Sequence, residues 1–256
     1  MGSGPGDPEL ITVKGKQYVE QADVIIYAGS LVNPTILSWA KHNAEIHDSS
    51  SLTLNEIVEI MVKSADEGKL VARLKSGDGG IYGALLEEMW ALEASGIPFE
   101  IVPGITAAIA AASVLPSELT IPKISQSVII TRASLRVPMK GSLRDYAHHV
   151  KEGATMVIYT GVHIIEKVID QLREGGLDDS VPVAVVYRAT WTNQKIVKGT
   201  IGDIVQKVKK EKIYRDSVII VGISANPDIV KNEVRSSVYD PSHNHSYRPW
   251  KVKEDD

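Results

Sequence analysis

The chain has 256 residues with 28 Lys plus Arg against 32 Asp plus Glu, and no cysteine. A chain of this length buries a full core and suits two domains of ordinary size. The lack of cysteine excludes disulfides, thiolate metal sites and a thiol nucleophile, and the net charge of −4 argues against nucleic acid as a partner. No apolar run is long enough for a membrane span, and Met1-Gly-Ser-Gly-Pro5 has neither the charged start nor the apolar stretch of a secretory signal. With the missing cysteine, that points to the cytoplasm.

Taken in chain order, Asp23-Val-Ile-Ile-Tyr-Ala28 reads as a strand buried on both faces, because its apolar residues are continuous rather than alternating. Thr53-Leu-Asn-Glu56 is a capping box, opening a helix with Leu54, Ile57, Val58 and Met61 on its apolar face and Gly68 at its end. Lys69 to Lys75 reads as a strand, followed by the loop Gly77-Asp-Gly-Gly80, a helix from Ala84 to Ser95 and a short strand from Phe99 to Val102. Pro103-Gly104 then breaks the chain before an alanine-dense helix, Thr106 to Leu115, slim enough for a backbone or flat ligand to lie close. Strands alternating with helices imply an α/β fold with a mostly parallel sheet.

Past residues 116 to 126 the grammar repeats. Strands are expected at Ser127 to Thr131, Thr155 to Tyr159, Val183 to Tyr187, Lys195 to Val197 and Val218 to Val221. Helices are expected at Val162 to Glu174, stopped by Gly175-Gly176, and from Asp203 to Lys210. The domain division is then 1–118 and 119–228, with a polar tail at 229–256.

Three glycine clusters carry the chemical signal. Gly4-Pro-Gly-Asp-Pro8 fixes a rigid turn with exposed backbone N–H groups at the start of a helix, able to hold a polar ligand; a plain connector fits equally well. It is no dinucleotide fingerprint, since Asp7 stands where the third glycine belongs, and the sequence has no P-loop. Gly77 to Gly83 lies at the C-terminal end of a strand, the edge where open α/β sheets bind ligands. There Asp78 either accepts from a ligand or caps the following helix, and capping is the commoner role for an isolated aspartate. Pro103-Gly-Ile-Thr-Ala107 is again a strand end before a helix N-terminus.

In this order and spacing, the clusters resemble the tetrapyrrole methylase family across roughly residues 2 to 226. Ala22 to Val32, Glu118-Leu-Thr-Ile-Pro122, Gln126 and Thr131-Arg-Ala-Ser134 resemble the branch that methylates precorrin-4 at carbon 11. The resemblance implies two α/β domains with an S-adenosylmethionine cleft between them, a tetrapyrrole substrate alongside, methyl transfer within cobalamin synthesis, and a homodimer. It places Pro5, Gly77, Asp78, Gly79, Ile81, Tyr82, Thr106 and Ala107 at the cofactor, mostly through backbone, with Thr160, Arg188 and Ala189 from the second domain. The group that takes the proton lost from the macrocycle is not assigned by the motifs; Asp7 and Tyr82 are the candidates.

The chain departs from the family twice. Gly79 replaces a proline, which loosens the loop, and the first apolar strand that precedes the first glycine in family members is missing. Either the start lies upstream of Met1 or another segment fills that slot.

Methyl transfer from a sulfonium needs positioning and water exclusion rather than a metal or a covalent intermediate. His148-His149 and the pair His243 and His245 have no third ligand at metal spacing, so no metal is expected. The substrate's carboxylates call for cations. Of Arg132, Arg136, Lys140 and Arg144, the first two are the candidates; Lys140 and Arg144 read as solvated, within a mobile loop from Thr131 to Asp145 broken by Pro138 and Gly141. Alternatives are another methyltransferase of the superfamily (a different precorrin position, diphthine or ribosomal RNA) and a non-catalytic ligand-binding protein on the same scaffold.

Overall fold

A computed structural model describes residues 1–133, 139–231 and 233–239. Contacts divide the chain into two compact units. The first is Met1–Leu115 with Val186–Ile196 and Ile213–Val218, and the second is Pro116–Val185, Val197–Lys212 and Ile219–Asp256.

The first unit is built on β1 (Val24–Tyr27), flanked in parallel by β2 (Glu45–Asp48) and β3 (Val71–Leu74) in the order β2-β1-β3. Because β1 is central, both its faces must be apolar, as its unbroken Val-Ile-Ile run provides. Ile25 packs with Val19 of α1 (Val13–Gln21), Ile36 and Leu74 on one side, while Val24 and Ile26 meet Ile57 and Met61 of α2 (Leu54–Asp66) on the other. Each such aliphatic side chain contributes roughly 1.5–3 kcal/mol on burial. The capping box forms as expected: the Thr53 N–H donates to Glu56 Oε2 at 2.7 Å and the Glu56 N–H to Thr53 Oγ1 at 3.4 Å. Gly68, at φ +76°, ends the helix. Next come α3 (Leu85–Ala94) and α4 (Ala107–Val114). β2 has no apolar signal because it is an exposed edge strand, formed by pairing with β1.

Residues 1–4 occupy part of the slot beside β3. The Lys75 N–H donates to Met1 O at 2.9 Å, and the Ser3 N–H to Lys75 O at 2.8 Å. The strand expected at Phe99–Val102 does not form. A ladder needs a continuous neighbour, and here the Gly2 N–H makes a single backbone bond, to Val102 O, 2.9 Å away. The remaining edge of β3 borders a groove of about 540 Å³ whose lining includes Leu70, Phe99 and Ile101.

The second sheet has the order β4-β5-β8-β6-β7, with strands β4 (Val128–Arg132), β5 (Thr155–Tyr159), β6 (Pro182–Tyr187), β7 (Lys195–Thr200) and β8 (Ser217–Val221). β4 and β5 are parallel, registering Arg132 with Tyr159. Helices α5 (Leu143–Lys151), α6 (Ile165–Glu174) and α7 (Ile204–Lys210) cover this unit's core. The loop expected through Asp145 gives way to α5 at Leu143. Ser142 caps it, accepting from the Asp145 N–H at 3.2 Å, and Leu143, Ala147 and Val150 are buried at helical spacing. Among the described residues, no helix is long and apolar enough to cross a membrane.

Candidate functional site

In the first unit the three glycine clusters are knitted into one structure at the strand ends. The Gly77 N–H donates to Gly4 O at 2.8 Å and the Gly4 N–H to Gly77 O at 3.2 Å. A methyl group on Gly2 would lie 2.6 Å from Gly77 O and 2.7 Å from Gly104 Cα, so the three backbones meet where no side chain fits. The start of α4 stacks on the same point, with Thr106 Cα 3.4 Å and Ala107 N 3.5 Å from where Gly77 would carry a Cβ.

Asp78 does not cap the following helix. Its Oδ1 accepts from the Gly80 N–H and its Oδ2 from the Gly104 N–H, both at 2.7 Å. The N-cap position of α3 is Ala84, which has no side chain to cap with. Sequence distance hid this role: Gly104 lies 26 residues downstream of Asp78. Gly79 is buried, Ile81 half-buried, and Tyr82 exposed with φ +54°.

The Pro5–Asp7 turn is held by residues that the sequence reading did not single out. Trp191 Nε1 donates to Pro5 O at 3.0 Å, the Asp7 N–H to Thr190 Oγ1 at 2.9 Å, and Asn33 Nδ2 to Gly6 O at 2.8 Å. The Trp191 indole fills the space where Gly6 would carry a side chain, and Ala189 O lies beside it. The carboxylate of Asp7 accepts from the Glu9 N–H at 2.9 Å. Asn33 before Pro34 signals a helix start, but nothing local announces its reach to Gly6.

Arg188 lies in the first unit, not in the second as the resemblance implied. Its guanidinium is engaged by Asp216, with Nε 3.1 Å and Nη2 3.0 Å from Oδ2, and packs over Tyr187 and Trp191. Its backbone is left-handed, at φ +46°.

In the second unit, Arg132 ends β4, and Thr160 follows its registered partner Tyr159 at the end of β5. Two parallel strand ends thus bring these candidates together, with Thr160 exposed and left-handed at φ +54°. Arg136 lies outside the described residues. Among those described, no three His, Cys, Asp or Glu residues form a group suited to a metal ion.

A charged network underlies the glycine loop. Lys75, 6% exposed, donates from Nζ to Glu88 Oε1 at 2.6 Å and to Gly83 O at 2.7 Å. Arg73 Nε reaches the same carboxylate oxygen at 3.2 Å. Burial pushes the Lys75 ammonium below the ordinary lysine range, opposed by its bond to Glu88.

Parallel strands ending in interlocked glycine turns, with helix N-termini facing the same edge, define an α/β ligand-binding protein. Residues 1–205 match the Tetrapyrrole (Corrin/Porphyrin) Methylases, and the chain belongs to that family. It is 51% identical over 250 residues, 97% of this chain and 94% of the relative, to a cobalt-precorrin-4 C(11)-methyltransferase of Methanocaldococcus jannaschii. Among solved structures, that of a cobalamin biosynthetic enzyme, cobalt precorrin-4 methyltransferase, superposes with a TM-score of 0.84 at 39% identity, covering 89% of this chain and 95% of the other. A uroporphyrin-III C-methyl transferase from Thermus thermophilus, complexed with S-adenosylhomocysteine, gives a TM-score of 0.76 at 26% identity, with 89% and 97% covered.

Proposed function

We propose that the protein is an S-adenosylmethionine-dependent C-methyltransferase of cobalamin synthesis that methylates cobalt-precorrin-4 at ring carbon 11. The knitted glycine loops at the strand ends carry this reading, supported by near-full-length likeness to relatives named for that activity. S-adenosylmethionine supplies, when bound, a methyl group activated on a sulfonium.

The chain's own residues bind, orient and exclude water. Gly77, Gly79, Ile81 and Tyr82 offer backbone groups at the strand end, with Asp78 fixing the loop. Thr106 and Ala107 bring a helix N-terminus, suited to the cofactor's carboxylate. Pro5, Ala189 and the Arg188 backbone complete the first unit's contribution; Thr160, at the end of β5, is the second unit's own candidate. These groups fit a ligand that is polar at its edges and flat in part, because interlocked backbones leave donors and acceptors at the edge without side-chain bulk. Arg132, and Arg136 beyond it in sequence, pair with macrocycle carboxylates. Asp7 and Tyr82 are the candidates for taking up the departing proton. Cobalt arrives with the substrate. The reading includes a homodimer acting in the cytoplasm without nucleic acid, and sedimentation analysis checks the assembly.

The test is methyl transfer from labelled S-adenosylmethionine to cobalt-precorrin-4 and, separately, to its metal-free form, with the labelled carbon read by NMR. Label on carbon 11 of the cobalt form is expected. Label only on the metal-free ring would replace the acceptor. Cofactor binding without transfer to either would overturn the reading in favour of another acceptor or a binding role.

A further inference from the structure

We infer that Lys75 is a positioning residue for the S-adenosylmethionine loop: its buried ammonium, held by Glu88, clamps the Gly83 carbonyl and thereby sets the shape of Gly77–Gly83. The inference rests on the reading that this loop binds the cofactor.

Asp78 holds the near end of the loop, its Oδ1 accepting from the Gly80 N–H at 2.7 Å. Further along there is room: a Cβ on Gly79 would meet nothing closer than Leu85 and the Lys75 Cγ, both at 3.6 Å. At its far end Gly83 presses on Gly79, with a Cβ at Gly83 falling 3.0 Å from Gly79 Cα. Gly83 is flanked by Tyr82 at φ +54° and Ala84 at φ +51°. Side-chain-bearing residues hold that conformation only where their surroundings impose it.

Lys75 is placed to impose it. Its stem runs beneath Gly79, and its Nζ ends 2.7 Å from Gly83 O, between the two left-handed residues. Glu88, 4% exposed on α3, fixes the ammonium at 2.6 Å and is itself braced by Arg73, whose Nη1 reaches Ser49 Oγ at 3.0 Å. A lysine that merely balanced Glu88 would be redundant, because Arg73 already contacts the same oxygen at 3.2 Å. What Lys75 alone provides is the bond to the loop.

The test uses the full chain with Lys75→Met, which keeps the stem and removes the ammonium. S-adenosylmethionine affinity is measured by calorimetry, KM for the macrocycle by initial rates, and folding by thermal unfolding. Cofactor affinity is expected to fall about tenfold with macrocycle KM unchanged within about twofold, as loss of one positioning contact gives. Adding Gly79→Ala, which narrows the loop's freedom without a clash, is expected to restore part of the loss. If Lys75→Met does not fold, Lys75→Met with Glu88→Gln removes both buried charges and carries the same expectation. Unchanged cofactor affinity in either folded variant, or equal loss for both substrates, would overturn the inference. Amide NMR of the unmutated chain separates the two readings. If S-adenosylmethionine leaves the Gly77–Gly83 amides unmoved, the loop assignment fails; if they shift and Lys75→Met binds normally, only the role of Lys75 fails.

Discussion

The Asp78 carboxylate accepts from the Gly104 N–H at 2.7 Å, tying the loop that leaves β3 to the loop that enters α4. Its second oxygen holds Gly80 in its own loop. Asp78→Ala leaves both amides without this acceptor; Gly80 is exposed and Gly104 half-buried, so water offsets part of the loss and the cost is about 1 kcal/mol. Cofactor affinity should drop about tenfold or more, and Asp78→Asn, with one acceptor left, should lose less. Calorimetric titration beside thermal unfolding checks this; full affinity in a folded Asp78→Ala would refute it.

Gly104 sits where Gly2 and Gly77 converge, its missing Cβ 2.8 Å from Gly2 Cα. Gly104→Ala therefore has to push backbones apart, which costs roughly 1–3 kcal/mol by overpacking. A fall in Tm together with weaker S-adenosylmethionine binding is expected. Gly79→Ala, with 3.6 Å to its nearest neighbours, should leave Tm level or raised. Equal melting of the two variants would contradict the knitted arrangement.

Arg132 and Thr160 close adjacent parallel strands of the second unit. If Arg132 pairs with a macrocycle carboxylate, Arg132→Gln raises the macrocycle KM about tenfold, since a charge-assisted bond is worth roughly 1.5–3 kcal/mol. The KM for S-adenosylmethionine should stay level. Steady-state rates with each substrate varied in turn distinguish this from a general loss of activity.

Asp48 lies at the C-terminal end of β2, where its Oδ1 accepts from the Ser50 N–H at 2.8 Å and the Gly29 N–H at 3.0 Å. Bonds from Ser50, with a smaller part from Gly29, hold its carboxyl below the usual aspartate value. The charged form is thus favoured in the folded state. Its stabilisation is complete above the unfolded-state pKa and is lost as pH falls through the lower folded-state pKa. Asp48→Asn should be less stable than the parent at neutral pH, and the gap should close in acid. Urea midpoints across that range give the answer, and a gap independent of pH would assign the effect to packing.

Much of the fold was legible in local pattern. The continuous Val24-Ile-Ile run predicted a strand buried on both faces, and Thr53 with Glu56 predicted a capped helix, because such burial and reciprocal capping each leave a mark within a few residues. β2 left no mark, since its half-exposed polar residues become a strand only by pairing with β1. Phe99–Val102 misled for the opposite reason: its composition suits a strand, but it meets Gly2 through one backbone bond instead of a continuous ladder. Lys75 was a faint hint, one cation directly after the apolar end of β3, yet its partners Gly83 and Glu88 lie 8 and 13 residues away.

By itself, the sequence determined the α/β alternation, the three glycine turns and the family they belong to, because backbone chemistry at a turn depends on the residues of that turn. Tertiary structure alone decided what those turns do to one another. It made Asp78 a tie between loops rather than a helix cap, committed the Arg188 side chain to Asp216, and brought Trp191 onto Pro5 from 186 residues away. Such pairings depend on where separate elements come to rest against a shared core, and no local run of residues encodes that position.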